Sequence, residues 1–470
     1  VVEQALGTDG ARTVKEIVAI SEGGRAPKND PALFALAMAA AAEDEATRKA
    51  ALDALSQVAR TGTHLFRFAT FVEGFRGWGR GLRRAVGRWY ADRPVGELAY
   101  QAVKYRRREG VTHRDLLRLA HPAAKVSAGN PAIAVGADHA RLFEWIVRGG
   151  DTANLPGVVG AFAAAQAAGS PAATAALVRE HRLPREALEP AHLASPEVWE
   201  ALLEDMPMTA LIRNLATMTR VGVLKPGNEA TAKVVAQLGD TERLRRARVH
   251  PIAVLAALRT YASGRGVRGR GTWIAVREVV DALDAAFYAA FANVEPTGRR
   301  LLLALDVSGS MGCGSIAGVP GLTPRDASAA LALITAATER RYEFVAFQRR
   351  LTPLPIGPRQ RLDDVVRTVS GLPFGGTDAA QPMLWALEHR REVDTFVVYT
   401  DSETWAGKVA PDAALRAYRE QSGIDARLVV VGMTSNGFSI ADPTDAGMLD
   451  VVGFDTATPQ LISDFAQGAM

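Results

Sequence analysis

The chain has 470 residues, 48% of them hydrophobic and 23% charged, the balance of an ordinary globular protein with length enough for two to four domains. No apolar run reaches the roughly eighteen residues of a membrane-spanning helix, and Val1 to Gly10 lack the basic flank and apolar core of a signal peptide. The single cysteine, Cys313, excludes an internal disulfide and fits a reducing, cytoplasmic compartment.

The net charge of +4 conceals an asymmetry: residues 1–296 hold 39 Lys+Arg against 31 Asp+Glu, whereas residues 297–470 hold 16 against 20. Arg60–Arg118 is the most basic stretch, with 14 basic and 5 acidic residues. A positive field of that density attracts polyanions, of which RNA and DNA are the usual ones; the bland alternative is an arginine-rich solvated helix face. The excess of arginine over lysine, 47 to 8, is consistent with a GC-rich bacterial genome as well as with phosphate binding, and is no evidence for either.

From Ala11 to about Asn293 the pattern is one of consecutive short helices. Residues 32–38 are apolar all round, and Ala51, Leu52, Ala54, Leu55 and Val58 recur at three and four to give one buried stripe. Breakers at Pro27, Pro31, Gly62, Pro94, Gly110, Pro122, Pro156, Pro171, Pro184, Pro196, Pro226 and Pro251 separate the segments. Stacked helical pairs, an α-solenoid, are the expected arrangement, although no repeat of fixed period is visible.

At Val294-Glu295-Pro296-Thr297-Gly298 the pattern changes. The apolar run Leu301–Leu305 ends in Asp306, as a buried parallel strand would. Helical stretches are predicted over 324–341, 362–369, 379–390 and 412–421, with strands at 344–347, 395–400 and 427–432. This alternation predicts a doubly wound α/β sheet covered on both faces, with the domain boundary near Pro296.

Directly after the first of these strands stands Asp306-Val307-Ser308-Gly309-Ser310. In an open α/β sheet such a loop lies at the carboxyl end of the strands, where ligands bind. The spacing aims one carboxylate and two hydroxyls at one point, with Gly309 permitting the turn. Thr377, in Gly375-Gly376-Thr377-Asp378, and Asp401, in Thr400-Asp401-Ser402-Glu403, sit in equivalent loops. Asp306, Ser308, Ser310, Thr377 and Asp401 form an oxygen-only donor set suited to a hard divalent cation such as Mg²⁺. The five residues in this order match the metal-ion-dependent adhesion site of von Willebrand factor A domains. In that family the cation keeps a position open for a partner's carboxylate, so a protein ligand is implied; the same loops can also serve as a structural clip.

The segment from Lys104 to Pro122, Lys-Tyr-Arg-Arg-Arg-Glu-Gly-Val-Thr-His-Arg-Asp-Leu-Leu-Arg-Leu-Ala-His-Pro, resembles the central signature of the Ro/TROVE family. Gly62–Phe66, Gly77–Arg83, His250–Tyr261 and Asp284–Tyr288 are similar to further stretches of it, as are residues 432–438 and Ile440–Pro443. The resemblance implies a TROVE domain of HEAT-like helical repeats over 1–296, closed into a ring by a von Willebrand factor A domain over 297–470. It implies Y RNA bound on the basic outer face, through Lys104, Arg108 and His121. Single-stranded 3′ ends of misfolded or structured noncoding RNA are implied to pass through the central hole. A 3′-to-5′ exoribonuclease, polynucleotide phosphorylase, is the implied partner, tethered through Y RNA, and small-RNA quality control the implied role. Val111 departs from the tryptophan usual in the family, which removes a stacking surface.

The residues allow the role. On a continuous helix Lys104 and Arg108, four apart, would share a face along a phosphate row. His121, before Pro122, is expected at a helix end. Two other readings compete. A nuclease built from His64, His113 and His121 finds no metal or nucleotide motif, and Ser308 has no general base near it in sequence. A cation-dependent protein-interaction module without RNA function would need only the Asp306 site. The expectation is a non-enzymatic RNA-binding scaffold.

Overall fold

The computed structural model describes residues 2–23, 29–108, 110–121, 136–266, 271–316, 318–348, 350–372, 375–401, 406–434, 440–454, 456 and 458–468. Pro27, Pro122, Ser402, Glu403 and the Ser435–Phe438 stretch, singled out above, lie outside the described residues. The chain divides into two compact units, Val1–Met206 and Pro207–Met470.

The first unit is helical, and its helices start where the sequence supplies caps. Asp44 accepts the Thr47 amide at 2.7 Å, Thr61 that of His64 at 3.3 Å and Ser170 that of Ala173 at 3.2 Å. Each such cap satisfies an orphan amide and contributes about 1 kcal/mol. The helices Asp30–Ala41, Gly62–Phe75 and Arg80–Ala91 bury Leu33, Leu36, Phe66, Phe68, Trp89 and Tyr90 in one core. Each of these side chains contributes roughly 1.5–3 kcal/mol by leaving water. A second cluster joins Val95–Lys104, Gly157–Ala167, Pro171–His181 and Pro196–Glu204 around Val103, Phe162, Val178 and Val198.

Between these helices lies an element absent from the sequence reading. Strand β1 (Arg107–Arg108) pairs antiparallel with β2 (Val111–Thr112), with Gly110 at φ +87° in the turn. The helix expected to carry both Lys104 and Arg108 ends at Lys104, and Tyr105 leaves helical geometry at φ −113°, ψ 47°. The shared helix face is therefore corrected: Arg108 stands on a hairpin. A capping box, Thr112 with Asp115, then starts the helix His113–Ala120, which His121 ends in the left-handed region at φ 45°.

The second unit begins with the helices Met208–Arg220, Glu229–Gly239, Thr241–Arg246, Pro251–Ala262 and Arg277–Ala289. A six-stranded sheet follows: β3 (Leu301–Asp306), β4 (Tyr342–Phe347), β5 (Leu351–Pro353), β6 (Thr395–Thr400), β7 (Arg427–Gly432) and β8 (Met448–Val452), in the order β5-β4-β3-β6-β7-β8. All neighbours are parallel except the edge pair β4–β5. Both faces are covered, as the unbroken apolar strands require. Leu302, Ala304, Phe396, Val398, Leu428 and Val430 pack with Met383, Leu415 and Tyr418, while Leu301, Leu303, Val397 and Tyr399 lie with Leu331, Ile334 and Ile462. Chain order reverses between β3 and β6, so the carboxyl ends of these two strands form the switch-point crevice of a doubly wound sheet.

Helix Arg277–Ala289 belongs to this unit by contact. The Leu362 amide donates to Tyr288 Oη at 2.9 Å, and the Arg361 guanidinium lies 4.1 Å from the centre of the Tyr288 ring while pairing with Asp284.

Candidate functional site

Parallel pairing of β3 and β6 brings Asp306 and Asp401 to the same end of the sheet. Asp306 is fully buried; its Oδ1 accepts the Ser308 amide at 2.8 Å and its Oδ2 the Thr400 hydroxyl at 2.7 Å. Ser308 and Ser310 hydroxyls are 3.1 Å apart. Thr377, 1% exposed, lies in a loop tied to the one following Asp401 by the Ala406 amide, which donates to the Thr377 carbonyl at 3.1 Å. Behind the Ser308 loop the buried Arg325 guanidinium donates to the Ser308 carbonyl at 2.9 Å.

Burial pushes the Asp306 carboxyl up to about 6; the Asp401 charge adds to this, against the Ser308 and Thr400 hydrogen bonds. Two carboxylates sharing a water-poor crevice are the arrangement a bound cation relieves. Among the described residues no three carboxylate, imidazole or thiol groups cluster as a metal set, so the donors here are two carboxylates plus hydroxyls. That set fits a hard divalent cation and disfavours a soft one. Asp306, Ser308, Ser310, Thr377 and Asp401 are the residues that would hold it, and its chemistry would be to fix the loops and offer a position to an oxygen ligand.

The basic face lies in the first unit. Lys104 closes its helix half-buried, its Nζ 5.3 Å and 5.4 Å from the ring centres of Tyr100 and Tyr105. Half-burial draws its pKa down, but Tyr100, Tyr105 and Glu186 outweigh this and hold it above its usual value, so the ammonium stays charged. Arg108 is exposed on β1 and donates to the neighbouring Arg107 carbonyl at 2.9 Å. His121 is exposed at its helix end. The three therefore share one run of chain, helix end, hairpin and helix end, but make no hydrogen bond or ion pair with one another.

Sequence reasoning passed over the neighbours that complete this face. Arg114 and Arg118 lie four apart on a genuine helix with Leu116 and Leu117 buried beneath, the geometry expected of Lys104 and Arg108. A cavity of about 650 Å³ is lined by Arg106, Arg107, Arg114, Arg148, Trp145 and Phe162 among others. Arg106 lies 4.7 Å from the centre of the Phe162 ring. The period of the apolar residues from Leu116 to Ala120 carried the signal for Arg114 and Arg118; Arg148, Trp145 and Phe162 arrive only through tertiary packing. His113, weighed above as a catalytic group, is 2% exposed, its Nδ1 2.8 Å from Tyr90 Oη, and belongs to the core.

The sheet, its switch-point loops and this donor set define a von Willebrand factor A domain joined to a helical N-terminal part. The family models agree: "Ro60 vWA domain" matches residues 300–466, and "TROVE domain" matches 2–145 and 180–299. The chain is 46% identical over 469 residues to an RNA-binding protein RO60 of Deinococcus radiodurans, covering 99% of this chain and 87% of that one. A Caenorhabditis elegans protein of the same name is 37% identical over 530 residues, covering 98% and 82%. A crystal structure of the D. radiodurans RO (RSR) protein superposes with a TM-score of 0.89 at 46% identity, over 100% of this chain and 93% of that one. This chain belongs to the Ro/TROVE family. Both curated relatives are named as RNA-binding proteins, not as enzymes. Among the described residues no helix is long and apolar enough to cross a membrane.

Proposed function

We propose that this protein is a non-enzymatic RNA-binding scaffold of the cytoplasm. It binds Y RNA on the basic face around Lys104, Arg108 and His121, and takes single-stranded 3′ ends of misfolded or structured noncoding RNA at a second surface, which the family resemblance assigns to a central hole. The observation that carries the reading is the cluster of Lys104, Arg106, Arg107, Arg108, Arg114 and Arg118 along one helix–hairpin–helix stretch, against two acidic residues, Glu109 and Asp115, in the same stretch. Guanidinium and ammonium groups neutralise phosphates, and the half-buried Trp145 beside them offers aromatic surface to a base. Tethering of a 3′-to-5′ exoribonuclease, polynucleotide phosphorylase, through Y RNA places the protein in small-RNA quality control. The cation site, holding Mg²⁺, serves the loops of the second unit and a protein carboxylate.

The test compares wild type with a Lys104→Ala/Arg108→Ala/His121→Ala variant across a salt series, using a Y-like hairpin and a structured RNA with a single-stranded 3′ tail. The variant is expected to lose hairpin binding and to keep most tailed-RNA binding. Removing two fixed cations lowers the slope of log affinity against log salt by about 1.8 on duplex, at about 0.9 per phosphate contact. Equal hairpin binding by both proteins would sink the outer-face assignment. If neither protein binds RNA, the cation-dependent interaction module becomes the better reading.

A further inference from the structure

We infer that the second unit carries a nucleotide pocket of its own, between the helices Met208–Arg220 and Pro251–Ala262. The cavity there measures about 380 Å³, within the range of small-ligand sites. One wall is flat and apolar: Ala253, Ala256 and Ala257 follow one face of their helix, opposite Ile212 and Leu215. The rim is cationic. Arg213 and Arg248 are both exposed, and neither guanidinium has a hydrogen bond or ion pair among the described residues. Thr209 and Thr260 add hydroxyls, and none of the described lining residues is acidic. His250 contributes no charge: burial pushes its pKa down to about 4, and its Nδ1 accepts the Ile252 amide at 3.2 Å.

Arg248 is also held where an arginine is uncomfortable, at φ +47°. Its loop is pinned by Asn293, whose amide donates to the carbonyls of Leu244 at 3.3 Å and Val249 at 2.8 Å. The positive φ belongs to the turn that closes the helix Thr241–Arg246, with the Val249 amide on the Leu244 carbonyl at 3.0 Å, and it sets where the Arg248 side chain leaves the backbone. A flat apolar slot the size of a base, edged by two exposed guanidinia and two hydroxyls, fits a base carrying a phosphate. The shared chemistry is a nucleotide, either free or as an unstacked residue of single-stranded RNA; only the second source rests on the RNA-binding reading above.

The experiment titrates the full-length protein with AMP and with adenosine, and follows a labelled oligouridylate with and without AMP as competitor. The variants are Arg213→Ala and Arg248→Gly, the latter because glycine accepts a positive φ and keeps the loop. Wild type is expected to bind the phosphorylated ligand at least ten-fold better than adenosine, with each variant losing ten-fold or more. Competition between AMP and the oligonucleotide assigns the pocket to RNA, and AMP binding without competition assigns it to free nucleotide. Oligonucleotide binding weakened ten-fold by both variants, with AMP too weak to detect, also supports an RNA nucleotide. AMP and oligonucleotide binding unchanged in both variants, or equal binding of AMP and adenosine, overturns the pocket. Y-like hairpin binding, read in parallel, reports separately on the Lys104 face, so loss of one reading is not mistaken for loss of the other.

Discussion

His113 makes the first unit acid-sensitive in a way that can be calculated. Its ring sits edge-on to Phe66, 4.7 Å between centres, and near-parallel to Trp89 at 6.3 Å. Burial, with the Arg93 charge adding to it, pushes its pKa from 6.5 down to about 4, against a hydrogen bond to the Gln101 backbone. The folded protein therefore keeps the ring neutral through a pH range in which the unfolded chain protonates it. Above pH 6.5 neither state binds the proton and the term vanishes; as pH falls toward 4 the unfolded state is favoured progressively, and below 4 the loss is complete. With 1.36 kcal/mol per pKa unit, the cost reaches about 2.5 kcal/mol at pH 4.5.

The test replaces His113 by glutamine, which keeps a partner for Tyr90 Oη but does not titrate. Urea unfolding is followed by circular dichroism at pH 7 and pH 4.5 for both proteins. His250 in the second unit has the same depressed value and contributes to both proteins alike, so it cancels in the difference. Wild type is expected to lose about 2.5 kcal/mol more than His113→Gln between the two pH values, whatever the substitution costs at pH 7. A difference below about 0.5 kcal/mol would mean that the ring accepts its proton in the folded state and is not sealed by the aromatic cluster.

Two further outcomes are expected. Magnesium should stabilise the second unit by about 2.7 kcal/mol at a hundred-fold excess over its Kd, a rise of several degrees in Tm by calorimetry, and Asp306→Asn should abolish the rise; a shift equal in both proteins would place the cation elsewhere. Gly62→Ala should cost about 1–3 kcal/mol in denaturant midpoint, because the added Cβ would stand 2.8 Å from His113 Nε2 and 3.1 Å from Tyr105 Cβ; an unchanged midpoint would show that this packing is looser than drawn.

How far the sequence could be read depended on whether the signal was local. The strand from Leu301 to Asp306 was legible because a strand buried on both faces has no polar residues to alternate with. The place of the candidate cation loops followed from it, since the residue after such a strand stands at the sheet's carboxyl end. The short edge strand β5 and the outer strand β8, whose middle residues Leu449 and Asp450 are only half-buried, lack that unbroken apolar character and went unread. Arg106–Arg108 misled for a different reason: Lys104 to Arg108 has good helix formers, but Gly110 at positive φ and the Thr112 cap turn the chain before another helical turn can form. In the Ro/TROVE signature, then, His113 supplies core and the arginines around it supply the charged surface, a division that identity of residues alone does not reveal.

The change of period at Pro296 marks where helices give way to strands, and packing draws its line elsewhere. Residues 207–293 are helical like the first unit, yet they cluster with the sheet. The cause is visible at Tyr288, which sends its hydroxyl to the Leu362 amide and its ring to Arg361, while Asp284 one turn earlier takes the same guanidinium. Asn293 reaches the opposite way, to the carbonyls of Leu244 and Val249 at the foot of Arg248. A single stretch of chain from Asp284 to Asn293 thus holds the sheet's flank at one end and the loop of the inferred nucleotide pocket at the other. The candidate cation loops and the inferred nucleotide pocket, on opposite sides of the sequence boundary near Pro296, thus belong to one compact unit, separate from the one that carries Lys104, Arg108 and His121.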